Sequence, residues 1–253
     1  MSPLSIVITI VVIVLIFMLL RYIFSDPYTL QSIQNGKTSS TIAATSLATN
    51  GTNTPSSNFA YSIWIYVSDW NYRYGEPKVI FGRMGSQSTS SSGSVPGVNG
   101  LDPCPAVVLG AVENNISVSL GCYPGIDQQP TTPGGNTVVH TCTVANVPIQ
   151  RWVNLLVSVY GRSMDVYIDG KLVRTCLLPG VASVNNNANI YVTPAGGFEG
   201  NTSKFQYYPN SINPQEAWNI YTQGPSSMLS MFNQYQIKLS LEENGKTQNS
   251  VTI

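Results

Sequence analysis

The sequence predicts an all-β protein: an antiparallel sandwich with one short C-terminal helix, preceded by a single N-terminal transmembrane helix. Three observations carry this. Short runs rich in β-branched and aromatic residues recur from residue 59 onward, separated by Gly, Ser, Pro and Asn clusters, the pattern of many short strands joined by turns. No strand–helix–strand repeat supports a parallel sheet. The first of the 253 residues include an uninterrupted apolar run, "PLSIVITIVVIVLIFMLL" at 3–20.

That run is apolar on every face, unlike an amphipathic surface helix. About 20 residues span the roughly 30 Å hydrocarbon core, and Arg21 and Tyr22 follow where interfacial residues belong. No small-residue cleavage site follows it. Residues 1–24 are therefore expected to be an uncleaved anchor, making a single-pass membrane protein whose residues 3–20 contact a lipid bilayer. Arg21 alone places the main domain on the cytosolic side by the positive-inside tendency. The Asn-x-Ser/Thr triplets at Asn50, Asn115 and Asn201 point the other way if glycosylated.

Residues 25–57 are rich in Ser, Thr and Asn and lack periodicity, so they read as a linker or extended arm. The strands then follow in order. "FAYSIWIYV" (59–67) alternates with aromatic and β-branched residues. "KVIFGRM" (78–84), "AVVLGAV" (106–112), "NISVSLG" (115–121), "NTVVHTCTV" (136–144) and "RWVNLLVSVYG" (151–161) come next. "MDVYIDGKLVRT" (164–175) is a hairpin, because Asp169-Gly170 suits a two-residue turn with positive φ at both positions. Counting outward pairs Ile168 with Lys171, Tyr167 with Leu172, Val166 with Val173 and Asp165 with Arg174, the last an ion pair. "NIYV" (189–192) and "KFQYY" (204–208) complete the set. In "NPQEAWNIYTQG" (213–224), Asn213 is a helix N-cap, Pro214 sits at N1 and Gly224 is a stop. The tail, 225–253, contains the strand-like "YQIKLSL" and an "ENGK" turn.

Three of these segments carry a resemblance. "FAYSIWIYVSDW", "VPIQRWVNLLVSVYGRSMDVYIDGKLV" and "KFQYYPNSINPQEAWNIYTQGP" resemble, in order, the opening strand, central block and closing strand-plus-helix of the laminin-G-like branch of the concanavalin A-like lectin/glucanase superfamily. Trp152, Asp169 and Gly170 stand at the matching positions. The resemblance covers 58–224 and implies a jelly-roll sandwich. The layout of anchor, arm, sandwich and tail resembles membrane-anchored, minor capsid-type virion proteins of large icosahedral double-stranded DNA viruses.

Chemistry is sparse. There is one histidine, His140, and a nucleophilic triad or a metal site needs more than that. The superfamily's glucanases use clustered acids on one strand; no run here alternates Asp or Glu, so no enzyme is expected. The resemblance raises calcium, for which loops 100–104 and 184–190 offer Asp and Asn oxygens; loop Asn is more often a turn former, and no cofactor is expected. Charged residues make up only 9% and net charge is zero, which excludes a nucleic-acid surface. The four cysteines are Cys104, Cys122, Cys142 and Cys176. Two disulfides, Cys104–Cys122 and Cys142–Cys176, are one reading. Four buried thiols are the other.

The expected function is a non-enzymatic interaction protein, linking an internal virion membrane to the capsid shell and contacting capsid or membrane-layer neighbours. The alternative is a lectin-like surface protein that binds carbohydrate. In that reading Trp70, Tyr72 and Tyr74 in "SDWNYRYGEP" stack on sugar rings.

Overall fold

The structure is a computed structural model and describes residues 10–19, 26–47, 57–84, 103–130, 137–226, 238–243 and 246–252. The chain divides into two compact units, 28–225 and 1–27 with 226–253.

The larger unit is built from thirteen strands in two antiparallel sheets. They are β1 (Thr29–Gln31), β2 (Gln34–Asn35), β3 (Ser40–Ile42), β4 (Phe59–Asp69), β5 (Lys78–Arg83), β6 (Ala106–Leu109), β7 (Ile116–Cys122), β8 (Val138–Val144), β9 (Trp152–Tyr160), β10 (Ser163–Ile168), β11 (Lys171–Leu177), β12 (Ile190–Val192) and β13 (Glu199–Tyr208). The seven-stranded sheet runs β1-β13-β4-β9-β10-β11, with β2 also on β13. The six-stranded sheet runs β3-β12-β5-β6-β7-β8.

Period-two alternation builds the core. Along β4, Phe59, Tyr61, Ile63, Ile65 and Val67 join one buried cluster with Val153, Leu155, Val157 and Val159 of β9. Val107 and Leu109 of β6 and Ile116, Val118 and Leu120 of β7 complete it from the facing sheet. Each such side chain contributes roughly 1.5–3 kcal/mol on burial. Ala106 and Val108, one residue out of phase, belong instead to a small cluster with Val79 and Met84.

The arm read at 25–57 begins as part of this sandwich. β1 and β2 lie along β13, and β3 lies along β12. Residues 29–42 thus pass from the edge of one sheet to the edge of the other. On the opposite side, a disulfide between Cys142 of β8 and Cys176 of β11 joins the two remaining edges.

The hairpin forms with Asp169 at φ 51° and Gly170 at φ 71°. Its first two pairs, Ile168 with Lys171 and Tyr167 with Leu172, follow the count from the turn. The register then shifts, and Val166 faces Arg174 while Asp165 faces Thr175. Val173 is the extra residue of a bulge. The expected Asp165–Arg174 ion pair is therefore corrected: Thr175 Oγ1 donates to Asp165 Oδ1 at 2.6 Å.

Helix α2 (Pro214–Thr222) closes the outer face of the seven-stranded sheet. A capping box starts it: Glu216 N donates to Asn213 Oδ1 at 2.9 Å, and Asn213 N donates to Glu216 Oε2 at 2.8 Å. Ala217 and Ile220 bury against Leu156 and Tyr167, and Tyr221 stacks on Trp64 with ring centres 5.6 Å apart.

In the smaller unit, α1 covers residues 10–19, and β14 (Lys238–Glu243) pairs with β15 (Lys246–Thr252). No helix among the described residues is long and apolar enough to cross a membrane. That finding overturns the single-pass membrane assignment, and with it the location at a virion membrane or cell surface. Residues 3–9 and 20 of the apolar run lie outside the described residues.

Candidate functional site

Antiparallel pairing brings the β4–β5 loop, the β6–β7 turn, the β8–β9 loop and the β10–β11 turn to one end of the sandwich. Each is rich in residues that favour turns, so this end is polar and shaped rather than flat.

A groove of about 460 Å³ lies there, walled by Trp70, Val112, Glu113, Asn114, Asn115, Ala145, Asn146 and Ile149. Trp70 is half-buried and packs against the main core. Its indole Nε1 donates to Val112 O at 3.2 Å. Asn114 Nδ2 donates to Val147 O at 3.2 Å, and Asn115 Nδ2 donates to Glu113 Oε2 at 3.3 Å. Asn146 adopts φ 58°, which asparagine tolerates better than most residues. The groove thus combines one aromatic wall with three side-chain amides and a carboxylate.

Lys78, at the start of β5, stands behind this site. It is 1% exposed, and its ammonium has no hydrogen-bond partner. It sits 4.9 Å from the centre of the Trp70 ring, within cation–π range. Burial holds its pKa below the usual lysine range, and Arg73 pushes the same way against Glu76.

The three aromatic candidates separate in space. Trp70 lines the groove. Tyr72 donates its OH to Gly196 O at 3.1 Å and carries the Lys37 ammonium 5.5 Å from its ring centre, so it braces the connection after β12. Tyr74 is exposed and is not part of the groove wall.

Asp169 holds more than its turn. Its Oδ1 accepts from Asn154 N at 2.9 Å and its Oδ2 from Arg151 Nη2 at 2.5 Å, tying the hairpin to the start of β9. Gly170 lies against α2, where an added Cβ would come within 2.9 Å of Tyr221 Cβ.

Cys104 and Cys122 are buried thiols outside any disulfide, correcting the pairing expected for them. Both lie in the inter-sheet core, Cys104 before the start of β6 and Cys122 at the end of β7. Gly121 N donates to Pro103 O at 2.7 Å. Burial pushes the Cys122 thiol up to about 11.

Three of the loop oxygens considered for calcium have protein partners. Asn185 Oδ1 accepts from Asn187 N, Asn186 O from Arg83 Nη2 and Asn189 Oδ1 from Ala44 N. Residues 100–102 lie outside the described residues. His140 faces Leu120 in the β7–β8 ladder. Among the described residues, no group of three or more His, Cys, Asp or Glu side chains is placed to hold a metal ion. Of the glycosylation triplets, Asn115 is on the groove wall, Asn201 sits within β13 opposite Tyr66, and Asn50 lies outside the described residues.

No family model matches the sequence, and no curated protein matches it. Solved structures do share its fold. The receptor binding domain of botulinum neurotoxin D superposes with a TM-score of 0.51 at 12% identity, covering 78% of this chain and 46% of that one. The receptor binding domain of the botulinum neurotoxin C/D mosaic serotype gives 0.50 at 12% identity, covering 77% and 43%. The chain therefore spans less than half the length of the structures it matches. At this identity the likeness is one of fold.

Asn114, Asn146, Ile149 and Lys78 were not visible as site residues in the sequence. They come from separate loops and a strand end. The only local signal was the density of turn-forming Asn in "ENN" and "ANVP".

Proposed function

We propose that the domain is a non-enzymatic recognition module whose end groove takes a carbohydrate. The observation that carries this is a half-buried tryptophan walling a groove with three side-chain amides. Such a surface offers an aromatic face to a sugar ring and a choice of donors and acceptors to its hydroxyls. The volume, about 460 Å³, falls in the range of small-molecule sites, roughly 300–1,000 Å³. The similar folds are named as receptor binding domains, which is consistent with a module built to bind. We read the sandwich as a concanavalin A-like jelly roll, on the three sequence blocks described above. Linking a membrane to a capsid shell is not part of this proposal, because that role required a spanning helix.

The test is a broad glycan array probed with the intact chain, followed by titration of any hit. Trp70→Ala should weaken binding at least about tenfold, or 1.4 kcal/mol. Because Trp70 also packs on the core, Asn146→Gly serves as a second variant: it keeps the left-handed backbone and removes an amide from the wall. An array without a single hit, or a hit indifferent to both variants, would refute the carbohydrate reading.

One observation favours a second reading, docking of another protein. β11 is an edge strand, and Leu172, Val173 and Leu177 on it are exposed. Edge strands pair readily with added strands.

A further inference from the structure

We infer that the groove is one half of a longer site, whose other half selects an anionic group on the ligand through Arg174. This rests on the carbohydrate reading above. A second depression of about 340 Å³ shares Ala145 and Asn146 with the groove and opens between the sheets, with Thr143 and Pro148 on one side and Val173 and Arg174 on the other. The two volumes are neighbours across a single loop, so an extended oligosaccharide can occupy both.

The bulge in β11 is what brings a cation there. In an unbroken ladder Val173 would face Val166, and Arg174 would face Asp165. The shift at Val173 puts Arg174 opposite Val166. Directly opposed residues point to the same side of a sheet. Val166 belongs to the inter-sheet core, so the bulge turns Arg174 from the outer face to the mouth between the sheets. Bulges commonly re-aim a side chain in this way.

Nearby acids are otherwise engaged. Asp165 accepts from Thr175, and Asp169 is held by Arg151 and Asn154 N. The described ion pairs are Lys37–Glu199, Arg73–Glu76 and Arg151–Asp169, and Arg174 is in none of them. Glu113 lies on the wall of the first groove and not of the second. Arg174 is the one charged side chain on a wall otherwise built mainly of apolar residues, and a planar guanidinium matches a carboxylate or sulfate by two parallel hydrogen bonds. The ligand class is therefore an acidic oligosaccharide, with an uncharged ring at Trp70 and an acidic group at Arg174.

The test is calorimetric titration of the intact chain with three tetrasaccharides: neutral chitotetraose, a carboxylated oligogalacturonate and a sulfated heparin fragment. At least one acidic probe should bind about tenfold more tightly than the neutral one, with the advantage shrinking at high salt. Arg174→Gln should abolish that advantage and leave chitotetraose affinity unchanged. Arg162→Gln, the same charge loss at the far end of the sandwich, should do neither. The two acidic probes show whether carboxylate or sulfate is preferred. An acidic preference that survives Arg174→Gln overturns the inference. So does Trp70-dependent binding with no preference at all, which leaves the carbohydrate reading standing. Absence of binding to all three probes and to the array overturns both.

Discussion

Replacing Cys142 and Cys176 together by alanine should cost the larger unit about 4 kcal/mol. The two residues are 34 apart in sequence. Closing a loop of that length in the unfolded chain removes about 13 cal/mol/K of entropy, or about 4 kcal/mol at 25 °C. The position makes this loss hard to recover, because the bond joins the edge strands of two different sheets. For a domain of about 200 residues, 1 kcal/mol corresponds to roughly 2–4 °C, so the melting temperature should fall by about 8–16 °C. The assay is urea unfolding of the oxidised parent, the reduced parent and the double variant. Reduction separates the cross-link from the two lost sulfur atoms. Peptide mapping of the parent must first show the Cys142–Cys176 bond. A parent with that bond that loses less than about 1 kcal/mol on reduction would refute the reasoning.

Two further predictions concern the turn and a buried thiol. Gly170→Val should lose at least about 2 kcal/mol, since it forces a β-branched residue to φ 71° and into Tyr221. Asp169→Asn should stay within about 1 kcal/mol, because Oδ1 still accepts from Asn154 N and Arg151, the partner of Oδ2, has a half-exposed side chain; equal melting of the parent and Gly170→Val would disprove the turn assignment. Cys122 titrates near 11 when folded against 9.0 unperturbed. Its contribution is complete below about pH 9 and is lost as pH rises toward 11, because the unfolded thiol ionises first. The loss of stability between pH 8 and pH 10.5 should therefore be smaller in Cys122→Ala than in the parent, and identical slopes would contradict it.

The two-sheet architecture was legible because local patterns carry it. Alternation in "FAYSIWIYV" defines the inner face of β4, and Asn213, Pro214 and Glu216 announce the start of α2. The hairpin turn was legible too, but its register was legible for only two pairs. Val173 satisfies the alternation as well as a regular strand residue would, so nothing in the sequence marks the bulge. The strands at 29–42 were hidden for another reason. Each is two or three residues long and gains its order from β13 and β12, distant in sequence. The groove was illegible as a set, since Trp70, Asn114 and Asn146 meet only through long-range pairing. Cys104 and Cys122 both belong to the inter-sheet core, and alternation alone does not tell a pair of buried thiols from a disulfide.

The way the chain enters and leaves the larger unit has a mechanical consequence. Tyr28 accepts from Tyr207 N at 3.0 Å, and Pro225 O accepts from Ser203 Oγ at 2.5 Å. Both attachment points thus lie on β13, about four residues or 13 Å apart. Tension applied through the two flanks would run through this one strand and its short N-terminal partners. The strands that frame the groove, from β5 to β11, would carry almost none of it. The domain is suspended from one margin, so a pulled tether would unzip β1 before it distorted the recognition end.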